Sequence, residues 1–414
     1  YFMNVFQKLW YRTYQKTIYA VSPFLNWRQP QLLKFDRGIA DLPKFIKDKG
    51  YDSVLLVTDP MLMQLKMPQP IIDNCGEVGL HCALFSEVCP NPTIDIVEQA
   101  LQMYKGEKCQ CIIALGGGSS MDCAKAVGAR VARPNKSIPQ MKGILKVGKK
   151  LPMLVAIPTT AGTGSETTLA AVITNSQTHE KYAINDHALI PEYALLDPTL
   201  TTGLPKKITS TTGMDALTHA VEAYIGKGNT KGTKDMAEKA VKLIFDNLVT
   251  AYNDGGNLQA RENMLVGAYY AGAAFTRAYV GYVHAMAHTM GGFYHTPHGL
   301  ANSVILPHVL DWFGSSIYKK LAKLADIVGI DGDSDEVKAK KFIQAIKDMN
   351  KAMDIPEKIE GVVEEKDLPT MVDRAYSEAH PLYPVPKFMS KKDLEDMFRQ
   401  VCPPKSADDG EEAK

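Results

Sequence analysis

Three short apolar runs, each stopped by a turn signal, constrain the fold of this chain more than any other feature. SVLLVT (53–58) ends at Asp59-Pro60, CIIAL (111–115) runs straight into GGGSS, and MLVAI (153–157) ends at Pro158. Each reads as a strand followed by a turn. Helical patterns lie between them, at 94–104 and 121–131. Short strands alternating with helices predict a parallel α/β layer. After about Leu204 the character changes. Apolar residues recur at helical spacing over 209–225, 235–253, 258–290, 317–328, 335–353 and 390–401, with few β-branched runs. Asp197-Pro198 and Leu204-Pro205 break the pattern between the halves. The expected architecture is α/β plus all-α. Residues 1–204 form an N-terminal extension and a nucleotide-binding parallel α/β domain, and 205–414 a helical metal-binding domain with a short charged, disordered tail from Ser406. No internal repeat is seen.

A chain of 414 residues fits two or three domains, and 45% apolar content is ordinary for a globular protein. A net charge of +1 gives no electrostatic footprint for nucleic acid or an anionic membrane. The seven cysteines are odd in number and form no C-x-x-C pair, which argues for reduced, buried thiols and a cytoplasmic location. No uncharged apolar run is long enough for a transmembrane helix. The first 28 residues are aromatic and apolar but interrupted by Lys8, Arg12, Lys16 and Arg28, without a signal-peptide core. This extension is read as packing on the body or on a partner, with membrane contact as the alternative.

The run Gly116-Gly117-Gly118-Ser119 follows a strand and opens a helix. Without side chains, the backbone can approach a pyrophosphate, and the helix start offers unpaired N–H groups. Ser119 and Asp122 have the spacing of a capping box. A tight turn with no ligand is the plainer reading. The G-x-G-x-x-G fingerprint is absent, and the strand-end acid, Asp59, precedes the glycines instead of following them. Asp59 reads either as a turn residue before Pro60 or as an acceptor for ribose hydroxyls that would repel a 2′-phosphate. Residues 158–166, PTTAGTGSE, read evenly as a cofactor groove or as a polar loop that caps a helix with Thr163 or Ser165.

Asp215 and His219 lie four apart on a helical pattern and so share a face, as do His284 and His288. His298 follows Gly291-Gly292 and Thr296-Pro297, a turn that could fold it back toward the helix end. One carboxylate and three imidazoles suit a divalent transition metal. Each histidine alone also has a packing explanation, and His81, His179, His187, His295, His308 and His380 receive that reading.

The segments GGGSSMDCAKAVG (116–128), PTTAGTGSETT (158–168), GMDALTHAVEAY (213–224) and HAMAHTMGGFYHTPHGLAN (284–302) resemble the iron-dependent, group III alcohol dehydrogenases, in order and over about residues 33–400. The resemblance implies an N-terminal nucleotide-binding domain, a C-terminal helical domain, and a cleft holding NAD(P) and a metal, usually Fe²⁺ and sometimes Zn²⁺. It implies Asp215, His219, His284 and His298 as metal ligands, and His288 as the proton-handling residue near nicotinamide and substrate. Asp59 matches the acid that biases the family toward NAD. Gly117, Gly118 and Ser119 match the pyrophosphate loop, Thr159 and Thr160 the cofactor threonines, Lys181 a lysine near the nicotinamide ribose, and Asn91 another cofactor neighbour. Two departures stand out. The N-terminus is about two dozen residues longer than a compact member needs, and Tyr383-Pro384-Val385-Pro386 stands where many relatives carry an Asn-Pro-Arg type sequence.

The expected reaction is reversible hydride transfer between NAD(H) and a small alcohol or aldehyde, by a homodimer or higher homo-oligomer, with Phe275 and 280–283 near the substrate. The alternatives are a non-redox enzyme on the related dehydroquinate-synthase scaffold, and a binding protein that keeps metal and NAD as structural parts.

Overall fold

The computed structural model describes residues 5–21, 27–177 and 180–405. Within it the chain divides into two compact units, Leu25–Gly203 and Leu204–Lys414, the second also taking in Tyr1–Phe24. The charged tail expected from Ser406 lies outside the described residues.

The α/β unit carries nine strands among the described residues: β1 (Gln31–Leu33), β2 (Ser53–Val57), β3 (His81–Phe85), β4 (Cys111–Gly116), β5 (Gly143–Ile144), β6 (Leu154–Pro158), β7 (Ala170–Thr174), β8 (Lys181–Asn185) and β9 (Tyr193–Leu195). Six form a sheet in the order β1-β9-β6-β4-β2-β3, with every pairing parallel. The other three form a small sheet, β5-β8-β7, in which β7 and β8 are antiparallel. The apolar runs make sense here, because the main sheet is covered on both faces. Val54 and Leu56 of β2 point into one core, with Ile113 and Leu115 of β4. Leu55 and Val57 point into the other, with Ile112 and Ala114. A strand buried on both sides has no polar face to alternate with.

The chain leaves β2 toward β3 and returns past it to β4, so the crossover direction reverses between β2 and β4. Ligands of open α/β sheets bind beyond the carboxyl ends of strands at such a switch point.

Helices α2 (Leu42–Asp48), α3 (Pro60–Gln64), α4 (Gln69–Val78), α5 (Ile94–Gly106) and α6 (Gly118–Ala132) belong to this unit. Helix α1 (Val5–Val21) does not: the extension, expected with the α/β half, packs in the helical unit. Its Gln15 side chain, 3% exposed, is buried against the backbone of residues 381–383.

The helical unit continues with α7 (Lys206–Ile225), α8 (Lys231–Asn253), α9 (Leu258–Ala278), α10 (Tyr282–Tyr294), α11 (His298–Phe313), α12 (Tyr318–Ile327), α13 (Asp335–Ala352), α14 (Leu368–Ala379) and α15 (Lys391–Val401). Helix α7 is the centre of this unit, with nearly every residue from Thr209 to Ile225 buried, packed against α8, α9 and α11. The single helix expected over 258–290 is two. It breaks at Tyr279, which has φ +64°, and restarts after Gly281. Among the described residues, no helix is long and apolar enough to cross a membrane.

Candidate active site

In the helical unit, Asp215, His219 and Glu222 occupy one face of α7, at spacing i, i+4, i+7. All three are nearly inaccessible. Polar groups in such a helix interior must find partners, and Asp215 and Glu222 find them at or near the starts of α10 and α11. His284 is the third residue of α10 and His298 the first of α11. Asp215 Oδ1 stands 3.6 Å from His284 Nε2 and 3.4 Å from His298 Nε2. The three candidate ligand atoms all lie within 4.8 Å of one another.

Glu222 explains why α10 starts where it does. Its carboxylate accepts from the amides of Gly281 and Val283, both at 2.9 Å, filling the role of a helix cap. It also lies 2.7 Å from His284 Nδ1. An ionised carboxylate only accepts, so His284 carries its hydrogen on Nδ1 and keeps the Nε2 lone pair facing Asp215 and His298. Gly281 is required by this approach, since a Cβ there would meet Glu222 Oε1 at 2.7 Å.

Asn302 completes the corner, one turn after His298 on α11. Its Nδ2 lies 2.6 Å from Asp215 Oδ1, 3.1 Å from His298 Nε2 and 3.3 Å from His284 Nε2. One carboxylate oxygen and two imidazole nitrogens thus converge on one point, which is what a cation fits. Two ligands held ~2.1 Å from one ion at tetrahedral angles stand about 3.4 Å apart, close to the two spacings from Asp215. The donor set therefore fits a divalent metal.

His219 lies against this cluster but outside it. Its ring is sandwiched between Phe275 (centroids 4.0 Å apart) and His284 (4.4 Å), and its buried Nδ1 has no hydrogen-bond partner among the described residues. Three of the four expected ligands are thus brought together, with the fourth stacked beside them. Burial pushes the His219 imidazole well below its ordinary pKa despite the pull of Asp215. Burial works to raise the Asp215 carboxyl, but the surrounding histidines outweigh it and hold Asp215 well below the carboxylate range.

His288 sits one turn after His284, its ring stacked on that of His298 at 5.1 Å. Its side chain is 45% exposed, against 3% for His284. His288 Nδ1 lies 2.6 Å from Glu378 Oε1 on α14, and Tyr383 donates its hydroxyl to the same oxygen at 2.8 Å.

In the α/β unit a second set gathers beyond the carboxyl ends of β2, β4 and β6. Asp59, just after β2, caps α3 through Oδ1, accepting from Leu62 N at 3.0 Å. The plain turn reading therefore holds for one oxygen, while the other faces the glycine loop, 3.5 Å from where a Cβ on Gly116 would stand. That Cβ would also meet Ser120 Oγ at 2.5 Å, and Gly116 has φ +151°, so the position admits only glycine. Gly117 precedes α6 and Gly118 begins it, beside Thr160 and Thr163 respectively. Thr159 N bonds Gly116 O at 3.1 Å. Ser119 Oγ accepts from Asn91 N at 3.3 Å, and Asn91 Oδ1 accepts from Lys181 Nζ at 2.6 Å. Every expected cofactor residue of this unit thus belongs to one connected group. Its centre is the first turn of α6, whose unpaired amides suit a phosphate.

The capping box expected from Ser119 and Asp122 does not form. The helix starts at Gly118, with Gly117 at the cap and no side-chain cap bond. Asp122 instead accepts from Val172 N at 3.1 Å and Ser165 Oγ at 3.2 Å. Below it, fully buried Lys125 donates to Ser165 Oγ, Thr168 O, Thr168 Oγ1 and Ala170 O at 2.9–3.1 Å. Residues 165–167 form one 3-10 turn, not a capped α-helix.

Glu222, Asn302 and Glu378 were missed in the sequence. The first two had a signal: Glu222 continues the helical face of Asp215 and His219, and Asn302 stands four residues after His298. Glu378 had none, because it comes from a segment with no assigned helix.

Residues 30–198 match the iron-containing alcohol dehydrogenase family, and residues 209–402 match the C-terminal part of the Fe-containing alcohol dehydrogenase family. The chain is 39% identical over 357 residues to a 1,3-propanediol dehydrogenase of Klebsiella pneumoniae, covering 85% of this chain and 92% of that protein. It is 38% identical to an NAD-dependent methanol dehydrogenase of Bacillus methanolicus, covering 85% and 93%. A crystal structure of 1,3-propanediol oxidoreductase superposes with a TM-score of 0.86 at 36% identity, covering 91% of this chain and 99% of that one. The chain belongs to the iron-containing alcohol dehydrogenase family. It is an NAD-dependent oxidoreductase of alcohols and aldehydes, in a family that uses a metal ion.

Proposed function

We propose that this chain interconverts small primary alcohols and their aldehydes with NAD(H), using a divalent metal held by Asp215, His219, His284 and His298, with Fe²⁺ the expected ion and Zn²⁺ an acceptable one. The observation that carries this reading is the convergence of Asp215, His284 and His298, whose candidate ligand atoms all lie within 4.8 Å of one another. Relatives named for methanol and 1,3-propanediol support a small primary alcohol as substrate. The dehydroquinate-synthase-like alternative is set aside, because both halves of the chain match the alcohol dehydrogenase family.

A divalent cation bound there supplies Lewis-acid polarisation of a hydroxyl or carbonyl oxygen. The chain's own residues do the rest. Asp215 brings the only negative charge among the proposed ligands, and Glu222 holds His284 in the tautomer that leaves Nε2 available. His288, with Nδ1 turned to Glu378, keeps its Nε2 lone pair for the alcohol proton and serves as the exchange point with solvent. Amides at Gly117, Gly118 and Ser119 take the pyrophosphate. Asp59 accepts from the adenosine ribose and repels a 2′-phosphate, while Thr159, Thr160, Asn91 and Lys181 line the rest of the dinucleotide. The seven free thiols fit a reducing, cytoplasmic compartment. Phe6 and Trp10 of α1, 83% and 59% exposed, support burial of that surface in a homo-oligomer.

The test is turnover. Protein loaded anaerobically with Fe²⁺ or Zn²⁺ should generate NADH from short primary alcohols and consume it with their aldehydes. No turnover across a broad panel, with metal and NAD both bound, contradicts the proposal. Asp59→Gly should raise the NADP-to-NAD preference about tenfold, the worth of ~1.4 kcal/mol; an unchanged preference removes Asp59 from cofactor choice.

A further inference from the structure

We propose that α1 is a strap on the helical unit: Arg12 and Gln15 fix the segment between α14 and α15, and through Tyr383 and Glu378 they set the orientation of His288. The proposal rests on the reading that His288 handles the alcohol proton. It joins the two departures from the family noted in the sequence, the long N-terminus and Tyr383-Pro384-Val385-Pro386, into one device.

The segment needs outside help for a chemical reason. Pro381, Pro384 and Pro386 bring no N–H groups, so the stretch cannot pair its own carbonyls in a helix or a ladder. Apart from Val385 N, which donates to Tyr383 O at 2.9 Å, the donors to those carbonyls come from elsewhere, mostly from α1. Gln15 Nε2 donates to Pro381 O and Tyr383 O, both at 2.8 Å. Arg12 Nη2 donates to Val385 O at 2.8 Å and Pro386 O at 3.2 Å. Lys227 N covers Pro384 O at 2.6 Å. Arg12 Nη1 donates to Gln15 Oε1 at 2.9 Å, so the two side chains brace each other. The Arg12 guanidinium lies 4.0 Å from the centre of the Phe388 ring, and Tyr11 stacks on His380 at 5.1 Å.

What the strap holds leads directly to the candidate site. Tyr383, 9% exposed, donates to Glu378 Oε1, and the same oxygen faces His288 Nδ1. A carboxylate fixed there keeps the hydrogen of His288 on Nδ1 and leaves Nε2 as the working nitrogen. The matched family region begins at residue 30, so α1 lies outside it. On this account Arg12 and Gln15 are positioning residues, acting through Tyr383 and Glu378 without touching substrate.

The experiment uses the full chain, zinc-loaded, as Gln15→Leu, Arg12→Met and Tyr383→Phe. Gln15→Leu and Arg12→Met should speed amide hydrogen exchange across 376–389 about tenfold, with α7 to α9 unchanged. All three variants should lose the single Nδ1–H signature of His288 in ¹⁵N-histidine spectra, and kcat should fall about tenfold with zinc content and NAD affinity preserved. Tyr383→Phe leaves the backbone clamp in place, so it reads the last link even if a strap variant folds poorly. Unchanged exchange at 376–389 in both strap variants overturns the clamp; an unchanged His288 signature in Tyr383→Phe overturns the link to the site. Exchange and tautomer are read without turnover, so failure of the strap is distinguishable from failure of the alcohol dehydrogenase reading.

Discussion

The proposed metal corner and the proposed cofactor cradle are built by opposite means. The corner is made of side-chain atoms projecting from buried helix, with Asp215 and His284 each 3% exposed and held by further side chains. The cradle is made largely of backbone, at strand ends and a helix start, where Gly116 survives because nothing with a Cβ fits. One site owes its chemistry to which residues are present and the other to which side chains are missing. They should therefore fail differently when mutated.

The largest effect that sharpens this contrast is expected at Glu222, which touches no substrate. Glu222→Gln should weaken metal affinity roughly 10–100-fold, the usual cost of losing a carboxylate behind a ligating histidine, with NAD affinity unchanged. Equal metal affinity would mean the carboxylate serves only as the cap of α10. Next is Gly116→Ala, which forces a contact with Ser120 and should weaken NAD binding about tenfold while the metal stays. Loss of both ligands together would break the comparison.

The smallest effect lies below the cradle. Burial raises fully buried Asp122 to about 6 and Glu166 to about 7, and lowers Lys125 to about 8. Glu166 in the folded protein thus titrates above its ordinary value of 4.5. Its ionisation costs nothing below about pH 4.5, costs progressively more as the pH rises, and costs the full amount above about 7. Glu166→Gln should therefore stabilise the protein on the order of 1–3 kcal/mol at pH 8 and little at pH 4.5. Thermal unfolding of both forms at the two pH values reads this directly. A difference independent of pH would show that Glu166 holds its proton no more tightly in the fold than in the unfolded chain, so that burial does not raise it.

The same contrast decides what was legible in the sequence. Side chains four apart on a helix announce a shared face, so Asp215 with His219 and His284 with His288 could be found. Glu222 obeys the same period, three residues beyond His219, and was passed over because a cap supplied from a distant helix leaves no local mark. The parallel sheet was readable because strands buried on both faces are short unbroken apolar runs. Backbone chemistry leaves a fainter trace. Glycines showed where the loop was but not its phase, so the helix begins at Gly118, Ser119 falls inside its first turn, and Asp122 turns to Val172 and Ser165 instead of closing a capping box. The break at Tyr279 was invisible because the apolar periodicity runs through it, and the acceptors that stabilise the restart come from Glu222. The place of α1 could not be read because its partners are backbone carbonyls more than 360 residues away.

The central claim, that these helices hold a catalytic metal ion, is tested most directly by metal analysis of anaerobically reconstituted protein beside Asp215→Asn and His284→Ala. The wild type should retain about one Fe²⁺ or Zn²⁺ per chain after exhaustive dialysis, and both variants should retain almost none while still binding NAD. A nearly stoichiometric ion in either variant would contradict the account.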